Sequence, residues 1–296
     1  MTRDVWAAFQ AELLKLRKRP ATWVLLGLLL FSVVFFNYFI PFGVYLRVSA
    51  EVQAGVSVAA QVPLTLQLAA LLPHQVIRAV MSTVIGNGSV IALVLGALMA
   101  GSEYGWGTTK TALASGPSRL ALYAGQVSAL AAALATLVPS VYLAAAAATF
   151  LVTRIEGGAT TIPGATDWPA LAQAPAALGV AYLLLAMPAA FGLLLATLVR
   201  ATAPAIGFGL AWLFVVEGTI QTFAFASSTL GGILTVLPGA NAGSLSTTFG
   251  VLGGSDATPV QGPVTGSAAH FSLVLVAYVV TFLSVGALVF RRRDMA

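Results

Sequence analysis

The stretch ATWVLLGLLLFSVVFFNYFI, residues 21–40, is the first long apolar run of this chain. It contains no charged residue, and a helix of this length is about 30 Å long, which matches the hydrocarbon core of a bilayer. The stretch is about twice as long as the apolar core of a signal peptide, and no small-x-small cleavage site follows it. It therefore predicts an uncleaved first membrane span, and we expect Pro41 to end that helix.

The composition of the whole chain supports a membrane protein. Of 296 residues, 59% are hydrophobic and 8% are charged, whereas soluble domains carry about 25% charged residues. A soluble globule cannot cover so much apolar surface, and a disordered chain would be poor in apolar residues. The absence of cysteine also excludes a disulfide framework, a thiolate nucleophile and a cysteine-based metal site.

Six segments are long and apolar enough to cross a bilayer as helices. Their length and their Ala and Leu content favour helices over barrel strands, which would be shorter and would alternate in polarity. Glu217 is the only charged residue inside them. The sequence thus predicts an all-α integral membrane protein with a single transmembrane domain over residues 1–296 and spans at about 21–40, 79–100, 122–151, 174–198, 204–221 and 269–290.

The basic residues predict the orientation, because cytoplasmic loops are enriched in Lys and Arg. With both termini in the cytoplasm, eleven of the 14 basic residues lie inside, and only Arg47, Arg78 and Arg154 lie outside. The isoelectric point of about 9.8 then reflects positive charge facing anionic membrane lipids, so no nucleic-acid partner is expected.

Three segments outside the spans also carry structural signals. Residues 1–20 have an amphipathic pattern typical of a cytoplasmic helix at the membrane surface, which acts either as a topogenic anchor or as a docking surface. In residues 41–78 the spacing of Tyr45, Val48, Val52 and Val56 predicts a second surface helix. Residues 222–268 form an external loop whose apolar part, 223–237, predicts short re-entrant helices.

The segment between spans two and three, residues 101–121, is the most informative for function. It contains the run Glu103-Tyr-x-Trp-Gly-Thr-x-Lys-Thr-x-Leu113 and then the turn Gly116-Pro-Ser-Arg119. Composition by itself leaves a plain loop as an alternative, with Ser118 as a helix cap. The run and turn, the N-terminal AELLKLR at residues 11–17, the six-span order and the terminal FRRRD at 290–294 together resemble the permease subunits of type-2 ABC transporters.

This resemblance, which covers essentially the whole chain, implies a type-2 ABC exporter permease fold in the cytoplasmic (inner) membrane, with a re-entrant segment between spans five and six. It implies that a second permease chain pairs with this one, that two ABC ATP-binding subunits bind the pair, and that segment 101–121 docks on them as a coupling helix. The residues implied to couple to the ATPase are Glu103, Tyr104, Trp106, Thr108, Lys110 and Arg119.

The implied function is export driven by ATP, with a cargo that is lipophilic or amphipathic. A non-transporting sensor or scaffold that recruits an ABC ATPase is the alternative, because it needs the same docking segment. The chain has no Gly-x-x-x-x-Gly-Lys-Ser/Thr phosphate-binding loop, so we expect no cofactor and no enzymatic activity in this chain, with ATP and Mg on the partner. His74 and His270, the only histidines, are not at metal-ligand spacing.

Glu217 is the remaining candidate, since an ionisable side chain within the bilayer is costly and is a candidate for function. Its position predicts a depth toward the outer leaflet, where Arg78 or His270 is a possible ion-pair partner. Two roles are open: a structural or gating role at the end of span five, or contact with the substrate.

Overall fold

The computed structural model of the protein describes residues 2–55, 63–105, 118–156, 168, 173–224, 228–248, 264 and 266–292. Throughout this part of the chain the regular secondary structure is helical and contains no strand. The helix at the N-terminus, Thr2–Lys18, is called the N-terminal helix below, and a short helix, Leu64–Ala69, precedes span two.

Six of the helices are long and apolar enough to span a membrane, which makes the chain a multi-pass membrane protein. Each of the six predicted segments lies inside one of these helices, so the predicted all-helical class with six apolar helices of spanning length is confirmed. In order, spans one to six are Pro20–Gln53, Pro73–Tyr104, Arg119–Ile155, Gln173–Val199, Thr202–Phe223 and Ala268–Arg292.

The prediction that Pro41 ends span one is wrong. A π-helical segment, Phe35–Phe39, precedes the proline, and an α-helix resumes at Ile40 and continues to Gln53. The Ile40 amide donates to the carbonyl of Phe35, five residues back, so the helix is already widened where Pro41 enters. Because this wider turn moves the preceding carbonyls away from the proline ring, the helix continues instead of breaking. The helix predicted after Pro41 is therefore the second half of span one, although Val56 lies outside the described residues.

Spans two and four form the centre of the bundle. Span four packs against spans two, three, five and six, and its most extensive contact is with span two. Most exposed large apolar side chains of the spans lie instead on spans one, three, five and six, such as Phe31, Leu143, Phe214 and Leu273. This distribution is expected for a bundle whose peripheral helices face lipid.

Glycines allow the central helices to approach closely. A Cβ added at Gly96 in span two would overlap the carbonyl of Ala189 in span four, and one added at Gly192 would overlap the carbonyl of Leu93. A Cβ at Gly209 in span five would meet the side chain of the same Leu93. Spans two, four and five are thus held together by small residues at their crossing points.

The N-terminal helix packs across the start of span three, where Gly125 lies against Ala8 and leaves no room for a side chain. Ala8 and Leu16 are buried on this face, while Trp6, Leu13 and Leu14 are exposed. The end of the bundle that carries this helix is called the N-terminal end below. The predicted helix is present and uses one face to pack on the bundle.

Two short helices between spans five and six, Ser228–Leu234 and Pro238–Thr247, lie at the opposite end of the bundle. The second packs against spans four and six and contacts the π-helical segments of spans two and five. Ala240, Asn241 and Leu245 are buried in this contact. Short helices were predicted in this region; whether they enter the membrane stays a prediction.

Candidate functional site

At the N-terminal end, one lysine bridges two carboxylates from different elements. The Lys15 Nζ lies 2.5 Å from Glu12 Oε1 on its own helix and 2.5 Å from Glu103 Oε1 at the end of span two. The Gln126 side-chain amide of span three donates to the second oxygen of Glu103. Glu12 and Glu103 are only 6% and 7% exposed. The Glu12–Lys15–Glu103 cluster therefore joins the N-terminal helix to span two, and Gln126 connects it to span three, at the start of the predicted coupling segment.

The environment of this cluster shifts the pKa of two of its groups. Burial, and after it the hydrogen bond and charge of Glu103, raise the pKa of Glu12 to about 7 against the opposing effect of Lys15. Burial by itself would lower the pKa of Lys15, but its hydrogen bonds to Glu103 and Glu12 outweigh that effect, so its pKa is raised. Lys15 therefore stays charged at neutral pH, whereas Glu12 titrates there.

The residues predicted to contact an ATPase are only partly described. Trp106, Thr108 and Lys110 lie outside the described residues. Tyr104 is half-buried against the core, and Glu103 is engaged within the chain by Lys15 and Gln126. The Arg119 guanidinium donates to the carbonyl of Arg291 at 3.4 Å, which ties the start of span three to the end of span six. Glu103 and Arg119 thus lie at the two ends of the segment, where they bond to neighbouring elements, and the predicted contact with an ATPase stays a prediction.

Ser118 caps span three as predicted. Its Oγ accepts a hydrogen bond from the amide of Ala121 at 3.2 Å, with the serine backbone extended. Span three therefore begins at a defined point directly after the undescribed residues 106–117.

Glu217 lies near the opposite end of the bundle, at the end of a π-helical segment, Ala211–Glu217, in span five. Its side chain is 2% exposed. The Trp212 indole donates to Glu217 Oε1 at 2.9 Å, and the backbone amide of Gly239 donates to Oε2 at 2.7 Å. Gly239 is in the first turn of the Pro238–Thr247 helix, where a free amide and the helix dipole favour a negative group. Glu217 therefore attaches this short helix to span five.

The structure does not pair Glu217 with either cation that the sequence offered. The His270 ring lies 3.4 Å from the carbonyl of Thr235, and Arg78 is half-buried at the start of span two. The two hydrogen bonds of Glu217 come from Trp212 and Gly239 instead. Two neutral donors thus satisfy both carboxylate oxygens of the buried Glu217.

Spans one, two and five each contain a π-helical segment: Phe35–Phe39, Val84–Gly88 and Ala211–Glu217. The Asn37 side chain connects the first two spans, donating to Thr83 Oγ1 at 2.9 Å and accepting from Ser82 Oγ at 2.6 Å. Hydrophobic periodicity assumes an α-helix throughout and does not reveal such segments. In span five the i, i+5 spacing of Trp212 and Glu217 fits the π-helix, because that spacing brings both side chains close to one face.

No group of three His, Asp or Glu side chains that could hold a metal ion occurs among the residues with described positions. The polar groups around the Glu12–Lys15–Glu103 cluster and around Glu217 are hydrogen-bond and ion-pair partners of one another. The geometry supports the attachment of two helices to the bundle. Lys15 attaches the N-terminal helix at one end, and Glu217 attaches the Pro238–Thr247 helix at the other.

Comparison with known families gives one result. A family model described as a protein of unknown function (DUF2705) matches residues 30–296 of the chain. A comparison with curated proteins gives no match.

Proposed function

The chain belongs to the DUF2705 family of proteins of unknown function, and we propose that it is the membrane-spanning permease subunit of an ATP-driven ABC exporter. Two such chains form the substrate pathway, and each binds a separate ATP-binding subunit that carries ATP and Mg. The proposal places the chain in the cytoplasmic membrane with both termini inside, as the excess of basic residues on that side favours.

The observation that carries the proposal is the way the base of segment 101–121 is held. Glu103 is bonded to Lys15 and Gln126, and Gly101 packs so tightly against Thr202 that a Cβ would overlap the Thr202 backbone. The end of span two is thus connected to the N-terminal helix, to span three and to the start of span five. A segment that passes motion from a docked ATPase to the membrane helices needs such connections on its membrane side.

The π-helical segments support a substrate pathway along spans one, two and five. π-helical turns are rare and often occur at functional sites, and here they fall in three spans that lie next to one another, since span two packs against both one and five. The Asn37, Ser82 and Thr83 side chains add hydrogen-bonding groups at this position. A pathway with mostly apolar walls and a few polar groups suits a lipophilic or amphipathic cargo.

A sensor or scaffold that recruits an ATPase without transport is the second candidate. It would use the same segment 101–121 but would not need substrate to affect the ATPase. Reconstituted complexes distinguish the two, because an exporter couples ATP hydrolysis to substrate and a scaffold does not.

The test is copurification of the full chain with its ATP-binding subunit, comparing Trp106→Ala with Trp168→Ala. Trp106 lies in the proposed docking segment, whereas Trp168 is an exposed tryptophan in the segment between spans three and four, on the predicted outer side. We expect Trp106→Ala to weaken the complex at least tenfold, as loss of a central aromatic anchor does, and Trp168→Ala to leave it unchanged. Equal retention of the ATPase by both variants would contradict the proposal.

A further inference from the structure

Span two exposes a polar side chain at the middle of its length. Asn87 lies 14 residues after Pro73 and 17 before Tyr104, which separates it from the two ends of the span by about 21 Å and about 26 Å of helix. Asn37, at the middle of span one, bonds Thr83, four residues away from Asn87, so two neighbouring spans give the same depth. Asn87 is therefore close to the centre of the bilayer, where there is no water to satisfy an exposed amide.

The polar groups around Asn87 are satisfied without it. Asn37 uses both ends of its amide on two hydroxyl groups of span two. In the π-helical segment that contains Asn87, the Ser89 hydroxyl donates to the carbonyl of Val84 at 3.2 Å. Asn87 itself has no hydrogen-bond partner among the described residues, and its side chain is exposed. An amide left in this state at the centre of a bilayer is costly, so we expect its partner to come from outside the chain.

A second copy of the chain fits this position, because an asparagine amide carries both a donor and an acceptor and so complements an identical amide. Two copies that cross the membrane in the same direction are related by a twofold axis along the membrane normal, and that axis keeps each residue at its depth. Gly86, beside Asn87, is also exposed and has no atom within 4 Å of its Cβ position, so a second helix can approach the backbone here. A cargo molecule would leave the amide bare between transport cycles, whereas a permanent partner satisfies it continuously.

We propose that the span-two helices of two copies meet at Asn87, and that the two Asn87 amides hydrogen-bond each other across the twofold axis at the centre of the membrane. The inference deepens the proposed function, on which it rests for the pairing of two chains, and it names the surface that the two chains share. A polar pair in an apolar interface sets the depth and rotation of both helices, because sliding either helix by one turn separates the amides. Spans one and five, which pack against span two, then lie beside the contact.

Cysteine cross-linking tests the contact, because the chain contains no cysteine of its own. Asn87→Cys is compared with Val280→Cys, which is at the middle of span six and 57% exposed. The full chain is oxidised in membranes with iodine, and the dimer is measured on a non-reducing gel. We expect at least about fivefold more dimer from Asn87→Cys, since a disulfide forms only where two Cα atoms lie within about 7 Å.

Three results of the cross-linking would overturn the proposal. One is an equal yield of dimer from the two variants, and another is no dimer from Asn87→Cys. The third is reaction of the Asn87→Cys thiol with a small water-soluble maleimide without any cross-link, which would assign the position to an aqueous pathway.

A second measurement asks whether the Asn87 amide contributes to the pairing. Energy transfer between copies labelled at the N-terminus, diluted with lipid in liposomes, gives the dissociation constant of the dimer. We expect Asn87→Val to raise that constant about fivefold, as loss of one hydrogen bond between membrane helices does. The matched control is Thr136→Val near the middle of span three, where the hydroxyl bonds its own helix, and it should leave the constant unchanged.

An unchanged dissociation constant for Asn87→Val, or an equal rise for both variants, would also overturn the proposal. Neither experiment needs the ATPase, so failure here is distinct from failure of the complex to assemble.

Discussion

At the scale of single residues, Glu217 shows how one buried carboxylate fixes the position of a separate helix. Its two oxygens accept from Trp212, five residues earlier, and from Gly239, 22 residues later. Gly239 has to be glycine for this contact, because a Cβ there would overlap Glu217 Oε2. The arrangement favours the structural or gating role for Glu217 over direct substrate contact.

Replacing Glu217 with Ala is expected to lower the free energy of unfolding by about 3 kcal/mol, because two donors in a buried pocket lose their acceptor. Glu217→Gln should cost less, since its amide oxygen still serves one donor. Thermal unfolding of the purified protein measures both, and hydrogen exchange at the Gly239 amide should quicken in parallel. Glu156→Ala, which removes a bond to the Tyr45 hydroxyl at the less buried end of span one, is the matched control and should cost about 1 kcal/mol. Equal effects at the two positions would contradict the proposed attachment.

At the scale of elements, the contact between spans two and four depends on a reciprocal pair of glycines. Gly96 of span two faces the Ala189 carbonyl of span four, and Gly192 of span four faces the Leu93 carbonyl of span two. The backbone of each helix therefore packs against a glycine of the other. Because Leu93 also contacts Gly209 of span five, we expect the three spans to move as one unit when segment 101–121 moves.

The variants Gly96→Ala and Gly192→Ala are each expected to destabilise the protein by about 1–3 kcal/mol, since the added methyl group meets backbone that cannot rotate away. Gly179→Ala is the control, because it lies in span four with no atom near its Cβ position. Alanine there should be neutral or stabilising by up to about 1 kcal/mol. Thermal unfolding in a single detergent compares all three, and a cost at Gly179 equal to that at Gly96 would refute the close-packing argument.

At the scale of the whole molecule, six spans and the distribution of basic residues predict that both termini face the cytoplasm. The N-terminal helix then lies at the cytoplasmic surface, and the second half of span one ends at the outer surface. The proposed function depends on this orientation, because the ATPase would act at the N-terminal end.

Single cysteines test the orientation directly. Gln10→Cys on the N-terminal helix and Ala54→Cys after span one are both exposed positions in a chain without cysteine. In intact cells an impermeant thiol reagent should label Ala54→Cys only, and cell lysis should make Gln10→Cys reactive. The reverse pattern would invert the orientation, and labelling of both in intact cells would contradict a crossing by span one.

The sequence by itself predicted the six spans. The free energy of transferring about 20 apolar residues into a bilayer is the sum of contributions from residues that are consecutive in the chain, so a local pattern is enough to reveal it. It also identified Glu217 and the segment around Trp106 as unusual. It offered Arg78 or His270 as a possible partner of Glu217, which bonds Trp212 and Gly239 instead, and it expected span one to stop at Pro41. Only the tertiary structure decided those points, together with the bond between Lys15 and Glu103, which are 88 residues apart. The physical reason is that hydrogen bonds, glycine contacts and π-helical turns depend on which side chains the packed helices bring together, and no local pattern records that.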